Sequence, residues 1–223
     1  MYGRQPSGAS HNDKDDEMKN LLKNTLALAA LALSAHAHAV TDVAGDFLAG
    51  YTGSRDAAFD VLSADVSFNA ATNEFVFSTT AAGAIAGVNG AAYVFGLDAG
   101  GTTVAPFTSV GLPGAVFNRT VTLRANGTAV VGATPITEQI VGDRIFTTVS
   151  ASLLPSNGLA FKDYTWTVWS IDTNVAGLGR LADFAPDANI NVTAVPEPAT
   201  YGMLLAGLGM LGMVARRRPR GQG

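Results

Sequence analysis

The segment Arg119–Val131 reads RTVTLRANGTAVV and predicts a β-hairpin. Its first half alternates polar and apolar side chains, so that Val121 and Leu123 lie on one face of a strand and the threonines on the other. Asn126-Gly127 then supplies the dipeptide that favours a tight type I′ turn, and the remaining residues return as a second strand. One face of this hairpin is therefore expected to be buried and the other to face solvent.

Further short strands are expected on both sides of this hairpin. They are rich in β-branched and aromatic residues and are separated by turns rich in Gly, Asn, Asp and Pro. The predicted strands are 61–68, 74–79, 91–97, 145–153, 164–171 and 189–195, and a helical turn or two is expected at 56–62 or 178–183. Many short strands with no sustained helical period predict an all-β fold, a single antiparallel β-sandwich.

This sandwich is expected to occupy residues 40–194. A chain of about 150 residues buries enough surface to fold as one domain without disulfides, and the sequence contains no cysteine. Residues 40–195 carry 13 acidic and six basic side chains, a net charge of −7. Because the bases are scattered, no positive stripe is available for a phosphate backbone, and nucleic acid is not expected as a partner.

The predicted domain lacks the residues that most enzymes use. All three histidines, His11, His36 and His38, precede residue 40. Without histidine and cysteine, a domain cannot assemble a Ser-His-Asp or Cys-His nucleophile, and it lacks the usual ligands of zinc and copper. We therefore assign no catalytic residue, cofactor or metal, and we predict that the protein is not an enzyme.

Carboxylates leave one enzymatic alternative open. A secreted carbohydrate-active enzyme needs only two carboxyl groups at a defined separation, and Glu74 or Glu138 with an Asp would supply them. Glu74 alternates with Phe75 and Phe77, so its side chain is expected to point to solvent. Solvated acids on strand faces are the simpler interpretation.

A calcium- or sugar-binding module is a second alternative. Asp183 with Asp187, and Asp56 with Asp60, each place two carboxylates close together in sequence. Neither pair has the dense spacing of a calcium-binding loop, and aspartate is common in turns for other reasons.

Aromatic residues are concentrated in the predicted strand 164–171. Strand alternation puts Tyr164 and Trp166 on one face and Trp169 on the other. One face of the strand must belong to the core. The tryptophan on the other face, Trp166 or Trp169, is a candidate for stacking on a sugar ring. Packing of the second face under a loop is the simpler interpretation.

The region before residue 40 contains the pattern of an export signal. Lys19 and Lys23 form a basic start, residues 26–33 form an apolar run, and Ala37-His38-Ala39 offers a small-residue cleavage site. Residues 18–39 are therefore predicted to be a signal peptide that directs the chain to the export translocon, with cleavage after Ala37 or Ala39.

The first 17 residues differ from an export signal. They are polar, and their last residues are mostly acidic, whereas a signal peptide starts with basic residues. We interpret residues 1–17 as an extension upstream of a true start at Met18. A genuine long leader is the alternative.

Residues 195–223 combine three features in a fixed order. Pro196-Glu197-Pro198 is followed by the uncharged, mostly apolar run 201–215, and then by Arg216-Arg217-Arg218. At about 1.5 Å per residue, a helix over this run spans roughly 22 Å, which is less than the ~30 Å hydrocarbon core of a bilayer. The arginines favour the cytoplasmic side. A transient single transmembrane helix with a cytoplasmic C-terminus is therefore expected.

This three-part order resembles the PEP-CTERM sorting signal of Gram-negative bacteria that make exopolysaccharide. The resemblance implies processing by an exosortase, an integral membrane transpeptidase, with Pro196, Glu197, Pro198 and the arginines 216–218 as recognition residues. It also implies export across the inner membrane, brief anchoring through residues 201–215, and transfer to the cell surface or extracellular matrix. A non-catalytic surface or biofilm-matrix role, with exopolysaccharide as a partner, is the expectation.

Overall fold

The computed structural model describes residues 39–195, 202 and 204–208. The predicted extension 1–17, the signal peptide before Ala39 and most of the tail after Val195 lie outside the described residues. Residues 204–208 are helical. Among the described residues, no helix combines the length and apolar character needed to cross a membrane.

Strands dominate the described part of the chain, and the predicted strands are all present. The strands are β1 Val40–Thr41, β2 Val61–Asn69, β3 Glu74–Ala81, β4 Ala91–Asp98, β5 Arg119–Arg124, β6 Ala129–Val131, β7 Thr134–Ile136, β8 Gln139–Val141, β9 Arg144–Ser150, β10 Thr165–Asp172, β11 Leu181–Phe184, β12 Ile190–Asn191 and β13 Thr193–Val195. Short 3₁₀ helices cover Ala57–Phe59, Thr108–Val110, Ala151–Leu153, Phe161–Asp163 and Gly177–Arg180. The expected helical turns thus occur as single 3₁₀ turns.

The strands form two sheets. One has the order β1-β2-β3-β9-β8, with β13 also paired to β2, and the other has the order β11-β10-β4-β5-β6-β7, with β12 also paired to β10. The strand pairs are antiparallel except that β13 runs parallel to β2. The predicted all-β, largely antiparallel fold is confirmed.

The two sheets bury a common core between their facing sides. The rings of Phe77 on β3 and Phe95 on β4 meet edge to face with centroids 5.3 Å apart. Phe75 stacks on Tyr164 at 5.5 Å. All four side chains are fully buried. Because each sheet presents every second side chain to the other, this is the packing of a β-sandwich.

A second apolar cluster covers the outer face of β10. Trp166 points into the main core, whereas Trp169 points outward and packs against Phe107, Phe117 and Phe184. Phe107 and Phe117 belong to the long connection between β4 and β5, which folds back over the sheet. Strand β10 is therefore buried on both faces.

The β5–β6 hairpin forms as predicted, but its turn differs. Val121 and Leu123 are buried, and Val121 pairs with Val131. The amide of Gly127 donates to the carbonyl of Arg124 at 3.1 Å, and Gly127 has a φ of +82° while Asn126 does not have a positive φ. A type I′ turn requires positive φ at both central residues, so the predicted turn type is wrong. A type I turn followed by a left-handed glycine takes its place.

The last predicted strand divides between the two sheets. Strand β12 pairs with β10, and β13 pairs with β2. The chain crosses at Val192, whose side chain is buried and whose amide donates to the carbonyl of Tyr164 at 2.8 Å. Since β1 also pairs with β2, both ends of the domain lie along one edge of that strand.

Candidate functional site

The predicted processing sites lie at the two ends of the sandwich. Ala39 is exposed and directly precedes β1, whereas Ala37 lies outside the described residues. At the other end, Val195 is the last residue of β13 and pairs with Asn69 of β2. Residues 196–198 and the arginines 216–218 also lie outside the described residues. Both predicted cleavage regions thus adjoin terminal strands of the same sheet.

The two tryptophans are buried. Trp166 is 1% exposed and its indole N–H donates to the carbonyl of Asn191 at 3.3 Å. Trp169 is 4% exposed beneath the connection between β4 and β5. An open hollow of about 540 Å³ adjoins Trp169, with Thr120, Thr122 and Arg124 of β5 on its wall. Neither ring presents a free face for stacking on a sugar, and Trp169 has the loop packing that was the simpler interpretation.

The two glutamates lie apart, Glu74 on a strand of the six-stranded sheet and Glu138 in the connection between β7 and β8. Glu74 begins β3, and Glu138 precedes β8, which is two strands away across β9. Spacings of about 3.3 Å per residue and 4.8 Å per strand put their Cα atoms roughly 15 Å apart. Glycosidase carboxyl groups are separated by about 5–9.5 Å, so the backbone does not direct these two side chains to a common point.

Glu138 is partly buried. Its Oε2 accepts a hydrogen bond from the amide of Arg124 at 3.1 Å, and its Oε1 is buried without a partner among the described residues. Burial raises the pKa of this carboxyl, while the amide and the charge of Arg124 oppose the rise.

Three aspartates meet near the start of the domain, and a fourth, Asp60, lies next to them. One carboxylate oxygen each from Asp42, Asp46 and Asp183 lies within 4.8 Å of the others. Asp60 lies beside them, since its charge raises the pKa of Asp42. We call these four residues the acidic cluster. Within the described residues, its first three members are the one group of three potential metal-ligating side chains at this spacing.

The loop 42–48 brings the first two aspartates to the cluster. At its start, the amide of Asp42 donates to the carbonyl of Leu62 on β2 at 2.8 Å. At its end, the amide of Leu48 donates to the carbonyl of Ala182 on β11 at 2.9 Å. The loop therefore bridges β2 of one sheet and β11, the edge strand of the other.

Asp60 contacts this loop through a hydrogen bond. Its side chain is 5% exposed, and its Oδ2 accepts a hydrogen bond from the amide of Gly45 at 2.8 Å. Gly45 has a φ of +83°, a conformation that favours glycine, and it lies between Asp42 and Asp46. The Oδ1 of Asp60 is buried and has no hydrogen-bond partner among the described residues.

Asp183 is the most buried member of the cluster. It is 3% exposed, and its two oxygens accept hydrogen bonds from the amides of Val61 and Phe184, each at 2.7 Å. Burial raises the pKa of this carboxyl to about 7, and the charges of Asp42 and Asp46 add to the rise, while the two amides oppose it. The side chain is thus held in place by backbone groups in an environment that disfavours its negative charge.

Among the described residues, the charges that shift the pKa of Asp42, Asp60 and Asp183 are all those of other aspartates. Burial raises the pKa of Asp42 and Asp60 as well, and the neighbouring charges that act on them are those of other aspartates. No basic side chain is among the groups that shift the pKa of these two residues or of Asp183. Such a cluster can take up a proton or a cation.

The two aspartate pairs that the sequence suggested as calcium ligands are not paired in the structure. Asp60 and Asp183 meet at the cluster, but Asp56 instead accepts a hydrogen bond from the amide of Ala58 at 2.9 Å and caps a 3₁₀ turn. Asp187 acts on the cluster through its charge, which raises the pKa of Asp42.

Sequence reasoning missed Asp42 and Asp46. The signal that could have found them is an acidic pair four residues apart around a glycine, directly after the predicted cleavage site.

Comparison with known proteins identifies the tail of the chain. Residues 194–218 match a family model described as the PEP-CTERM protein-sorting motif. The matched range contains all six of the predicted recognition residues, Pro196, Glu197, Pro198, Arg216, Arg217 and Arg218. No curated protein and no solved structure matched the chain. The protein therefore carries a PEP-CTERM sorting motif, the mark of a protein that is exported and sorted by an exosortase to the surface or the extracellular space.

Proposed function

We propose that the protein is a non-catalytic component of the cell surface or of the extracellular polysaccharide matrix, to which an exosortase delivers it. The observation that carries the proposal is the sorting motif at residues 194–218. The export translocon and the exosortase are the partners in delivery, and exopolysaccharide is the partner at the destination. After export, the run 201–215 holds the chain briefly in the inner membrane with its C-terminus in the cytoplasm.

The position of the motif relative to the fold supports this order of events. Strand β13 ends at Val195, and Pro196-Glu197-Pro198 begins at the next residue. A cut at or after Pro196 leaves β13 paired with β2, so the released sandwich keeps its complete sheet. A cut after Ala39 likewise leaves β1 intact. Both processing steps can thus occur without removing a strand.

The non-catalytic role is supported by the chemistry available to the exported part. Residues 40–223 contain neither histidine nor cysteine. Glu74 and Glu138 are roughly 15 Å apart at their Cα atoms. No aspartate of the described part of the chain is among the groups that shift the pKa of Glu138, so no second carboxyl group is indicated beside it. A structural or binding role needs none of the nucleophiles and general bases that are missing here.

Intact mass spectrometry of the protein recovered from culture medium and from membranes tests the proposal. We expect a released species that begins at Val40 and ends near Pro198. The double substitution of Pro196 and Pro198 by alanine should leave the tail attached and retain the protein in the membrane fraction. Substitution of Pro135 by alanine, a proline on edge strand β7, is the matched control and should be processed normally.

One result would overturn the sorting part of the proposal. If unsubstituted protein from both fractions still contained residues 216–223, the motif would not be cut, and the domain would be a permanently anchored one. The matrix role is tested separately, by asking whether the released species sediments with the exopolysaccharide and is freed when the polysaccharide is digested. A released species that never associates with polysaccharide would contradict that role.

A further inference from the structure

We propose that the acidic cluster of Asp42, Asp46, Asp60 and Asp183 is a calcium-binding site of the exported domain. The inference goes beyond delivery by the sorting motif, because it concerns only the folded sandwich.

The geometry of the ligand oxygens suits one calcium ion. Asp42, Asp46 and Asp183 each offer an oxygen within 4.8 Å of the other two. Calcium binds oxygen ligands at about 2.3–2.6 Å, so two oxygens on the same ion can be up to roughly 5 Å apart. Calcium accepts six to eight oxygens in flexible geometry, and water can complete the shell because Asp46 is exposed.

A second observation, independent of the spacing, points to a cation. Asp60 is 5% exposed and is turned toward the loop that carries Asp42 and Asp46, because its Oδ2 accepts a hydrogen bond from the amide of Gly45. Its Oδ1 is buried without a hydrogen-bond partner among the described residues, and so is Oδ2 of Asp42. Buried carboxylate oxygens without donors are costly, and a bound cation removes that cost.

The charges that shift the pKa of Asp42, Asp60 and Asp183 are all negative. Asp42 experiences the charges of Asp46, Asp60 and Asp187, and Asp183 experiences those of Asp42 and Asp46. Within the part of the chain that the structure describes, no arginine or lysine is among the groups that shift the pKa of Asp42, Asp60 or Asp183. Hard carboxylate oxygens without a basic partner form a ligand set that suits calcium and magnesium and does not suit softer metals.

Calcium at this site would join three segments that are distant in sequence. The loop 42–48 bridges β2 and β11, Asp60 directly precedes β2, and Asp183 lies on β11. A bound ion would therefore connect the first residues of the exported domain to both sheets. Calcium sites in extracellular modules bind at about 10⁻⁴–10⁻³ M, so a site of this kind is expected to fill outside the cell.

Isothermal titration calorimetry and thermal unfolding test the site on the exported form of the protein, freed of metal with a chelator and titrated with CaCl₂. We expect one calcium per chain with a dissociation constant of about 10⁻⁴–10⁻³ M. At a calcium concentration ten times that constant, Tm should rise by roughly 3–6 °C. MgCl₂ should bind more weakly, because magnesium requires shorter and more regular coordination.

Two variants make the test specific. Asp46→Asn removes an exposed ligand and should weaken calcium binding by about tenfold or more, with a smaller rise in Tm. Asp143→Asn is the matched control, since Asp143 is exposed in the turn between β8 and β9, and it should behave as the unsubstituted protein. If Asp46→Asn did not fold, Asp42→Asn would be measured in its place.

The proposal would be overturned by any of three results. The first is an equal rise in Tm with NaCl at matched ionic strength, which would show screening of repulsion and not binding. The second is unchanged calcium affinity in Asp46→Asn. The third is the absence of calorimetric binding at 10 mM CaCl₂, a concentration about tenfold above the weakest expected dissociation constant.

Discussion

The main core and the acidic cluster both contain buried side chains, but these side chains differ in how they affect stability. The core between the sheets consists of apolar side chains such as Phe75, Phe77 and Phe95, which are stable wherever water is excluded. The acidic cluster buries carboxylates such as Asp60 and Asp183 with no basic partner among the groups acting on them. The stabilisation by the core therefore does not depend on pH or on cation concentration, whereas the contribution of the cluster depends on both.

The largest expected effect is the removal of a core ring. Phe77→Ala should lower the free energy of unfolding by about 3–5 kcal/mol, because it removes a fully buried side chain that packs across the two sheets. Urea unfolding measures the loss, which should be the same with and without calcium. Phe146→Ala is the matched control on the neighbouring strand β9, where the ring is only partly buried, and it should cost less. Equal losses in the two variants would contradict the assignment of the core.

Residue alternation explains why this core could be predicted from sequence. In β5, the inward Val121 and Leu123 alternate with outward threonines, and in β10, Trp166 and Trp169 lie on opposite faces, as the period of two requires. These are local patterns, and each strand carries its own. The short strands β1, β7, β8 and β11 have too few residues for such a pattern, and they were not predicted.

The acidic cluster could not be predicted in the same way, because its contacts are distant in sequence. The hydrogen bond from Val61 to Asp183 joins residues 122 positions apart, and the loop with Asp42 and Asp46 reaches them only when both sheets have formed. The same limit applies to the parallel pairing of β13 with β2. Sequence alone identified the sorting motif of the tail, since the order of its parts along the chain is itself the signal.

The next largest effect is a pH dependence in calcium-free protein. Burial raises the pKa of Asp183 in the folded protein to about 7, against 3.8 for an ordinary aspartate. The folded state therefore holds this proton more tightly than the unfolded state. The resulting stabilisation is complete below pH 3.8 and is lost as the pH rises toward 7, a change on the order of 2–4 kcal/mol.

Unfolding of the calcium-free protein at pH 5 and pH 8 measures this dependence. The protein should be more stable at pH 5, and the difference should be much smaller in Asp183→Asn, which cannot titrate. The readout is the change in the free energy of unfolding with pH. The absolute stability is not compared, because the asparagine can accept only one of the two amide hydrogen bonds and lowers stability at every pH. An equal slope in both proteins would assign the dependence to other groups.

A smaller effect is expected from Asp46→Asn, and its sign should depend on calcium. The charge of Asp46 raises the pKa of Asp42, Asp60 and Asp183, so its removal relieves repulsion in the metal-free protein. Because Asp46 is exposed, the gain should be about 0.5 kcal/mol at pH 8. With saturating calcium the same variant should be less stable than the unsubstituted protein. The same sign in both conditions would contradict the role of Asp46 as a ligand.

The smallest effect is expected at Glu138, a partly buried acid that lies apart from the cluster. Burial raises the pKa of this carboxyl above its ordinary value of 4.5, so its ionisation disfavours the folded state as the pH rises above 4.5. In Glu138→Gln, the side-chain oxygen can still accept the amide of Arg124, and no charge is buried. The variant should be more stable by a few tenths of a kcal/mol at pH 8 and equal at pH 4, because solvent screens this partly exposed group.

Glu138→Gln also separates the proposed role from the enzymatic alternative. In a glycosidase, a catalytic carboxylate lies in an environment that disfavours its charge because the reaction requires it. Replacing such a carboxylate by an amide would raise the stability of the protein and abolish turnover together. If Glu138 is a structural residue of a non-catalytic protein, the variant gains the same stability, and neither protein releases reducing sugar. Thermal unfolding and reducing-sugar release, measured on the same two preparations, distinguish these cases. Release that disappears in Glu138→Gln would show that a partly buried carboxylate outside the cluster is maintained for catalysis.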